Sequence, residues 1–118
     1  MKKGYMISAH RSKADPQKRS AYIQLALPAI EKGGGKILAS TNDIVAKENG
    51  VKEQTVLIEF ESLEKALQAY ESPEYQEALK ALDGGADRDF RGCKNLSNHS
   101  DYVDISLEFN LIIPPMCL

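Results

Sequence analysis

The amino-acid sequence predicts a two-layer α+β domain with the element order βαββαβ. Three observations carry that expectation. Thr55-Val56-Leu57-Ile58-Glu59-Phe60 reads as a strand by its β-branched and aromatic content. Asp15-Pro16 and Ser72-Pro73 are each a capping side chain followed by a proline at the first helical position. Gly33-Gly34-Gly35 and Asp83-Gly84-Gly85 are glycine stops placed where the helices after those caps should end.

Gly4 to His10 is the first strand, with Tyr5, Ile7 and Ala9 on one face and Met6, Ser8 and His10 on the other. Arg11 to Ala14 is a loop. The helix opened by Asp15-Pro16 carries Tyr22, Leu25, Ala26, Ala29 and Ile30 as one apolar stripe. Pro28 removes one backbone bond, so a kink is expected near Gln24. A second strand is expected from Lys36 to Ser40, then a polar loop with a turn at Asn49-Gly50. In the third strand Val56, Ile58 and Phe60 share a face, and Leu57 lies on the other with Thr55 and Glu59. Ser62 caps the next helix, with Leu63, Ala66, Leu67 and Tyr70 at helical spacing. Ser72-Pro73 restarts it, with Tyr75, Ala78, Leu79 and Leu82 in phase. Arg88 to Cys93 begins the fourth strand. This order is that of a ferredoxin-like antiparallel sheet with helices on one face. Leu57 and its neighbours then lie on a bare face, and a second copy of the sheet would cover it, which predicts a homodimer.

The chain has 118 residues, room for one domain. Fifteen Lys+Arg face seventeen Asp+Glu, a balance that argues against a broad electrostatic grip on nucleic acid or an anionic membrane. The two cysteines, Cys93 and Cys117, lack the spacing of a zinc site, so no metal and no cofactor are expected. Gly4 to His10 is too short to be the apolar part of a signal peptide, and no run is long enough to span a bilayer. A cytoplasmic location is the expectation.

Several short pieces together resemble a bacterial family known as domain of unknown function 1330. They are Lys3-Gly4-Tyr5, Asp15-Pro16, Tyr22, Pro28-Ala29-Ile30, Gly34-Gly35-Lys36, Thr55 to Phe60 with Ser62-Leu63-Glu64, Ser72-Pro73-Glu74-Tyr75-Gln76, and Ala86 to Arg91. The resemblance implies the dimeric α+β barrel superfamily, in which two ferredoxin-like sheets pack face to face. Relatives there include cofactor-free monooxygenases, haem-degrading enzymes and muconolactone isomerases. The resemblance therefore implies a fold and a dimer rather than one activity. Gln54 stands where the family often has arginine, so an anion-binding role is not carried over to that position.

Few residues qualify for chemistry. His10, at a strand end beside Arg11 and near Asp15, is a candidate general base, weighed against a solvated loop histidine. Tyr75 joins it as the second catalytic candidate. Tyr22, Tyr70 and Arg88 are the ligand-binding candidates. Each tyrosine sits on a helix stripe facing the sheet, where its hydroxyl needs a partner, and is weighed against the reading of a core residue with its tip at the edge. Glu59 is expected at the dimer interface, in an ion pair with Arg88 or Arg91. The glycine run is not a phosphate loop, and no Ser-His-Asp elbow, HExxH or Rossmann fingerprint occurs. Two functions follow: an enzyme or small-ligand binder with a metal-free pocket between sheet and helices, or a non-catalytic dimeric module. An RNA-binding sheet would need exposed aromatics on its central strands and a basic face, which this chain lacks.

The family-like domain is expected over 1–91, with an atypical tail over 92–118. Lys94 to Ser100 reads as a loop. Val103, Ile105, Leu107, Phe109, Leu111 and Ile113 alternate with polar residues, apart from Ile112, which predicts an added strand near 102–113 on a sheet edge. A shifted reading frame is the competing account of so sharp an edge in the resemblance.

Overall fold

The computed structural model describes residues 2–96. Four strands and three helices alternate as β1 (Gly4–His10), α1 (Pro16–Lys32), β2 (Lys36–Thr41), β3 (Thr55–Phe60), α2 (Leu63–Glu71), α3 (Pro73–Leu82) and β4 (Arg88–Lys94). The sheet order is β2-β3-β1-β4, and every neighbouring pair is antiparallel. This is the ferredoxin-like α+β fold expected from the sequence. The predicted strand near 102–113 lies outside the described residues.

The helix starts form for the reasons the sequence gives. The Asp15 carboxylate accepts from the amides of Gln17 and Lys18, each at 3.0 Å, and Pro16 follows as the first helical residue. Ser72 closes one helix and opens the next. Its hydroxyl donates to the Ala69 carbonyl at 2.7 Å and accepts from the Tyr75 amide at 3.2 Å, which fixes where α3 begins and so where Tyr75 points. Helix α1 continues through Pro28 to Lys32. The glycine run after it divides two tasks. Gly34 takes the left-handed φ of +87° that turns the chain. Gly33 and Gly35 allow close approach: an added Cβ would come within 2.6 Å of Ala69 Cβ at Gly33, and within 2.8 Å of the Phe60 ring at Gly35.

Register decides which residues meet. Met6 lies opposite Ile58 and Gly92, Ser8 opposite Val56 and Phe90, and His10 opposite Arg88. This set faces the helices, and Met6, Ser8, His10, Ile58 and Phe60 are all buried. The core is completed by Ala26, Ala29 and Ile30 of α1, Ala66 and Ala69 of α2, and Tyr75 and Ala78 of α3. Tyr5, Ile7 and Ala9 share the opposite face with Glu59, Leu57 and Thr55, and among the described residues no helix covers them.

Several expectations are corrected. Leu25 is 46% exposed and Leu67 48% exposed, although both were placed on apolar stripes. The buried stripe of α1 runs through Ala26, Ala29 and Ile30, which leaves Leu25 to one side. In α2 the two alanines, Ala66 and Ala69, take the sheet-facing positions. Strand β4 runs one residue beyond the expected Arg88 to Cys93, because Lys94 continues the ladder opposite Gly4. Lys94, expected in a loop, is therefore its last residue. Within the chain, Glu59 pairs with neither arginine among the described residues. It accepts from the Tyr5 hydroxyl at 3.5 Å, Arg88 lies on the other face of the sheet, and Arg91 binds Asp89. Among the described residues no helix is long and apolar enough to cross a membrane.

Candidate functional site

A cavity of about 170 Å³ lies between α1 and the helix-facing side of the sheet. Helix α1 contributes Arg19, Tyr22, Ile23, Ala26, Leu27 and Ile30, a helical stripe in which polar groups occupy the N-terminal end. The floor is Ser8 and His10 from β1, Val56 and Ile58 from β3, and Arg88 and Phe90 from β4. Ile37 and Ser40 of β2 form one side, and Tyr75 closes another. Leu27 and Ile37 are both substantially exposed, so the cavity opens to solvent between α1 and β2.

The polar groups are linked. The Tyr22 and Tyr75 hydroxyls are 2.7 Å apart, and Arg88 Nη1 donates to the Tyr22 oxygen at 3.2 Å. Only one of the two phenolic protons can lie between the rings' oxygens, so the other remains available to a further acceptor. Arg88 also lies 5.1 Å from the Tyr22 ring centre and 5.0 Å from that of Phe90, within cation–π range. Tyr22 meets Tyr75 edge to face at 6.0 Å. Burial, reinforced by the adjacent Tyr22 hydroxyl, pushes the Tyr75 phenol well above its ordinary value, so at neutral pH it is a hydroxyl and not a phenolate. Ser8 is 4% exposed, and its hydroxyl has no hydrogen-bond partner among the described residues. A buried hydroxyl facing a cavity without a partner is costly, and a bound polar atom would relieve it.

His10 is buried on the same face. Burial and then the nearby Arg88 and Arg19 guanidiniums lower its pKa from 6.5, while Glu53 opposes them weakly. The imidazole is therefore neutral at physiological pH, with one donor and one acceptor nitrogen. Below pH 6.5 the unfolded chain binds a proton that the folded chain resists, so stability should fall as pH drops through that window. Glu74 and Asp89, with pKa values lowered by hydrogen bonds from Lys32 and Arg91, lose their contributions only below their ordinary 4.5 and 3.8. The melting temperature should thus decline from pH 7 to pH 5, and His10→Gln should flatten that decline. Equal declines in both proteins would assign the effect elsewhere.

Four of the five residues singled out from the sequence line this one cavity: His10, Tyr75, Tyr22 and Arg88. Tyr70 does not. Its ring packs 5.1 Å from Tyr75 and 5.4 Å from Phe90, outside the cavity. Ser8, Arg19 and Phe90 were missed. Ser8 shares a strand face with His10 two residues on, and Arg19 precedes Tyr22 by three, so the periodicities of strand and helix both pointed to them. Among the described residues, no group of three or more His, Cys, Asp or Glu side chains is placed to hold a metal ion.

Comparison with known proteins agrees with this architecture. Residues 3–95 match the sequence profile of domain of unknown function DUF1330. The chain belongs to this family. The match runs four residues beyond Arg91, to the end of the ladder that closes β4. No functionally curated protein matches the sequence. Among solved structures, RPA0582 of Rhodopseudomonas palustris, a protein of unknown function, is 19% identical with a TM-score of 0.62, over 82% of this chain and 85% of its own. SnoaB of Streptomyces nogalater, a cofactor-independent oxygenase, is 11% identical with a TM-score of 0.51, over 83% of this chain and 96% of its own. An ethyl tert-butyl ether D family protein of Bacillus halodurans is 15% identical with a TM-score of 0.50, over 81% of this chain and all of its own. These likenesses establish the ferredoxin-like α+β fold.

Proposed function

We propose that this DUF1330 chain binds a small organic molecule in the cavity between α1 and the sheet, and transforms it without a bound metal. It does so as a cytoplasmic homodimer whose cavities face away from the shared sheet surface. Fold likeness does not carry an activity, so the reading rests on the cavity. Its main support is Ser8, which belongs to the cavity lining and whose buried hydroxyl is unpartnered among the described residues. Around it stand a neutral imidazole, a spare phenolic proton and guanidinium donors, on walls of Ile23, Ala26, Val56 and Ile58. A few convergent polar groups on apolar walls are the usual composition of a small-molecule site. One histidine without a carboxylate or thiolate in the lining is a poor set for a divalent ion. In this reading His10 takes or returns a proton, and Tyr75 with Tyr22 donates a hydrogen bond to developing negative charge.

The test is a thermal-shift screen of the full chain against aromatic acids, lactones, flavin and haem. A ligand at about 100 times its Kd adds about 2.7 kcal/mol to the native state, a rise of several degrees. Tyr75→Phe and His10→Ala should each weaken the response. If both leave every binding response unchanged, the site is misplaced.

A further inference from the structure

The chain has four arginines, and they divide in two. Arg11 lies 3.9 Å from the Asp87 carboxylate, and Arg91 holds Asp89 through bonds of 2.9 and 3.1 Å. Arg88 and Arg19 are the two that line the cavity, and neither meets a carboxylate among the described residues. Arg88 is half-buried, and its partners among the described residues are the neutral phenols of Tyr22 and Tyr75 and the rings of Tyr22 and Phe90. A guanidinium withdrawn from water without a counter-ion is unfavourable, and the lining contains no Asp or Glu to supply one. Arg88 has no carboxylate partner among the described residues, and an anionic ligand would supply one.

An outer recess of about 380 Å³ adjoins the cavity, and His10 and Arg19 belong to the walls of both. Lys13 adds a second cation to that recess, against Glu53. Arg19 thus stands where the recess meets the cavity, while Arg88 lies within. Size sets the second limit. A cavity of about 150 Å³ accepts one benzene ring, and this one measures about 170 Å³.

We infer that the site recognises a small carboxylate whose body is a single six-membered ring or a chain of similar size, with the anionic group hydrogen-bonded by Arg88 in the field of Arg19. Ser8 meets a second polar atom of the same molecule. This inference rests on the proposed small-molecule function and adds to it the charge and size of the ligand.

The probes are benzoate, benzamide and 2-naphthoate, titrated into the isotopically labelled full chain and followed by NMR. Benzoate and benzamide have nearly the same shape and differ in charge. Benzoate should shift the resonances of Ser8, Tyr75 and Arg88 and bind at least about tenfold more tightly than benzamide, the increment of one charge-assisted hydrogen bond. 2-Naphthoate should bind more weakly than benzoate, because its second ring exceeds the cavity. Arg88→Gln should remove the preference for benzoate, and Arg88→Lys should keep part of it. The comparison on the parent protein stands even if a variant fails to fold. Equal binding of benzoate and benzamide in the cavity would overturn the carboxylate inference and leave the small-molecule function intact. Naphthoate binding as tightly as benzoate would overturn the size limit. Absence of binding by all three, or shifts that spare Ser8, Tyr75 and Arg88, would count against the cavity itself.

Discussion

Tyr75→Ala should destabilise the protein by about 3–5 kcal/mol, the cost of removing an aromatic ring from a packed core. The residue is 2% exposed and one of the two largest fully buried side chains. Three contacts would be lost together: the edge of Tyr22, the tilted ring of Tyr70 and the hydroxyl pair with Tyr22. For a domain of this size the melting temperature should fall by more than about 10 °C. Tyr75→Phe separates packing from chemistry. It keeps the ring and loses one hydrogen bond, worth about 1 kcal/mol net, and the Tyr22 oxygen still accepts from Arg88. The Phe variant should therefore fold and melt within a few degrees of the parent, yet respond less to any cavity ligand. Heat denaturation of both variants by circular dichroism makes the comparison. An Ala variant as stable as the parent would mean that Tyr75 is not the core residue its burial indicates.

Local chemistry made most of the fold legible in advance. Asp15-Pro16 and Ser72-Pro73 identify their helix starts because a cap and a proline act within four residues and need no tertiary partner. The faces of β1 and β3 follow from strict alternation. The helix-facing side was readable from β3, where Val56, Ile58 and Phe60 oppose Thr55, Leu57 and Glu59, but not from β1 alone, since Met6-Ser8-His10 and Tyr5-Ile7-Ala9 are about equally mixed. That choice is made by the chain returning as α1 and α3. The cavity was half legible for the same reason. His10, Tyr22 and Tyr75 stand out by residue type. Ser8 and Arg19 are ordinary in sequence and matter only because register places them on the same lining. The end of β4 was misjudged by one residue because Lys94 has weak strand character by itself. It is held in the strand by pairing with Gly4 of β1, which a local reading does not see. Glu59 and Arg88 were paired on charge alone, whereas strand alternation puts them on opposite faces.

Leu57→Arg should convert the proposed homodimer to a monomer. Leu57 lies opposite Ile7 on the face of the sheet that no helix covers among the described residues, with Tyr5, Ala9 and Ala39 around it. An apolar sheet face of this kind is unfavourable in water, and an identical face turned by two-fold symmetry is the simplest cover. In such a contact a new guanidinium at position 57 would lose its water and meet its own symmetry mate nearby. An unpaired charge in a dry interface costs several kcal/mol, enough to reverse dimerisation at micromolar concentration. Light scattering should report twice the 13.0 kDa chain mass for the parent and the single mass for the variant. A parent that is already monomeric at micromolar concentration would end the dimer proposal. The same variant also tests the separation of the two faces. Val56 and Ile58 flank Leu57 but point into the cavity on the opposite side of the sheet. A folded Leu57→Arg monomer should therefore keep its affinity for any cavity ligand. Loss of both pairing and ligand binding in a folded variant would mean that the partner subunit helps shape the site, through the sheet that the two properties share.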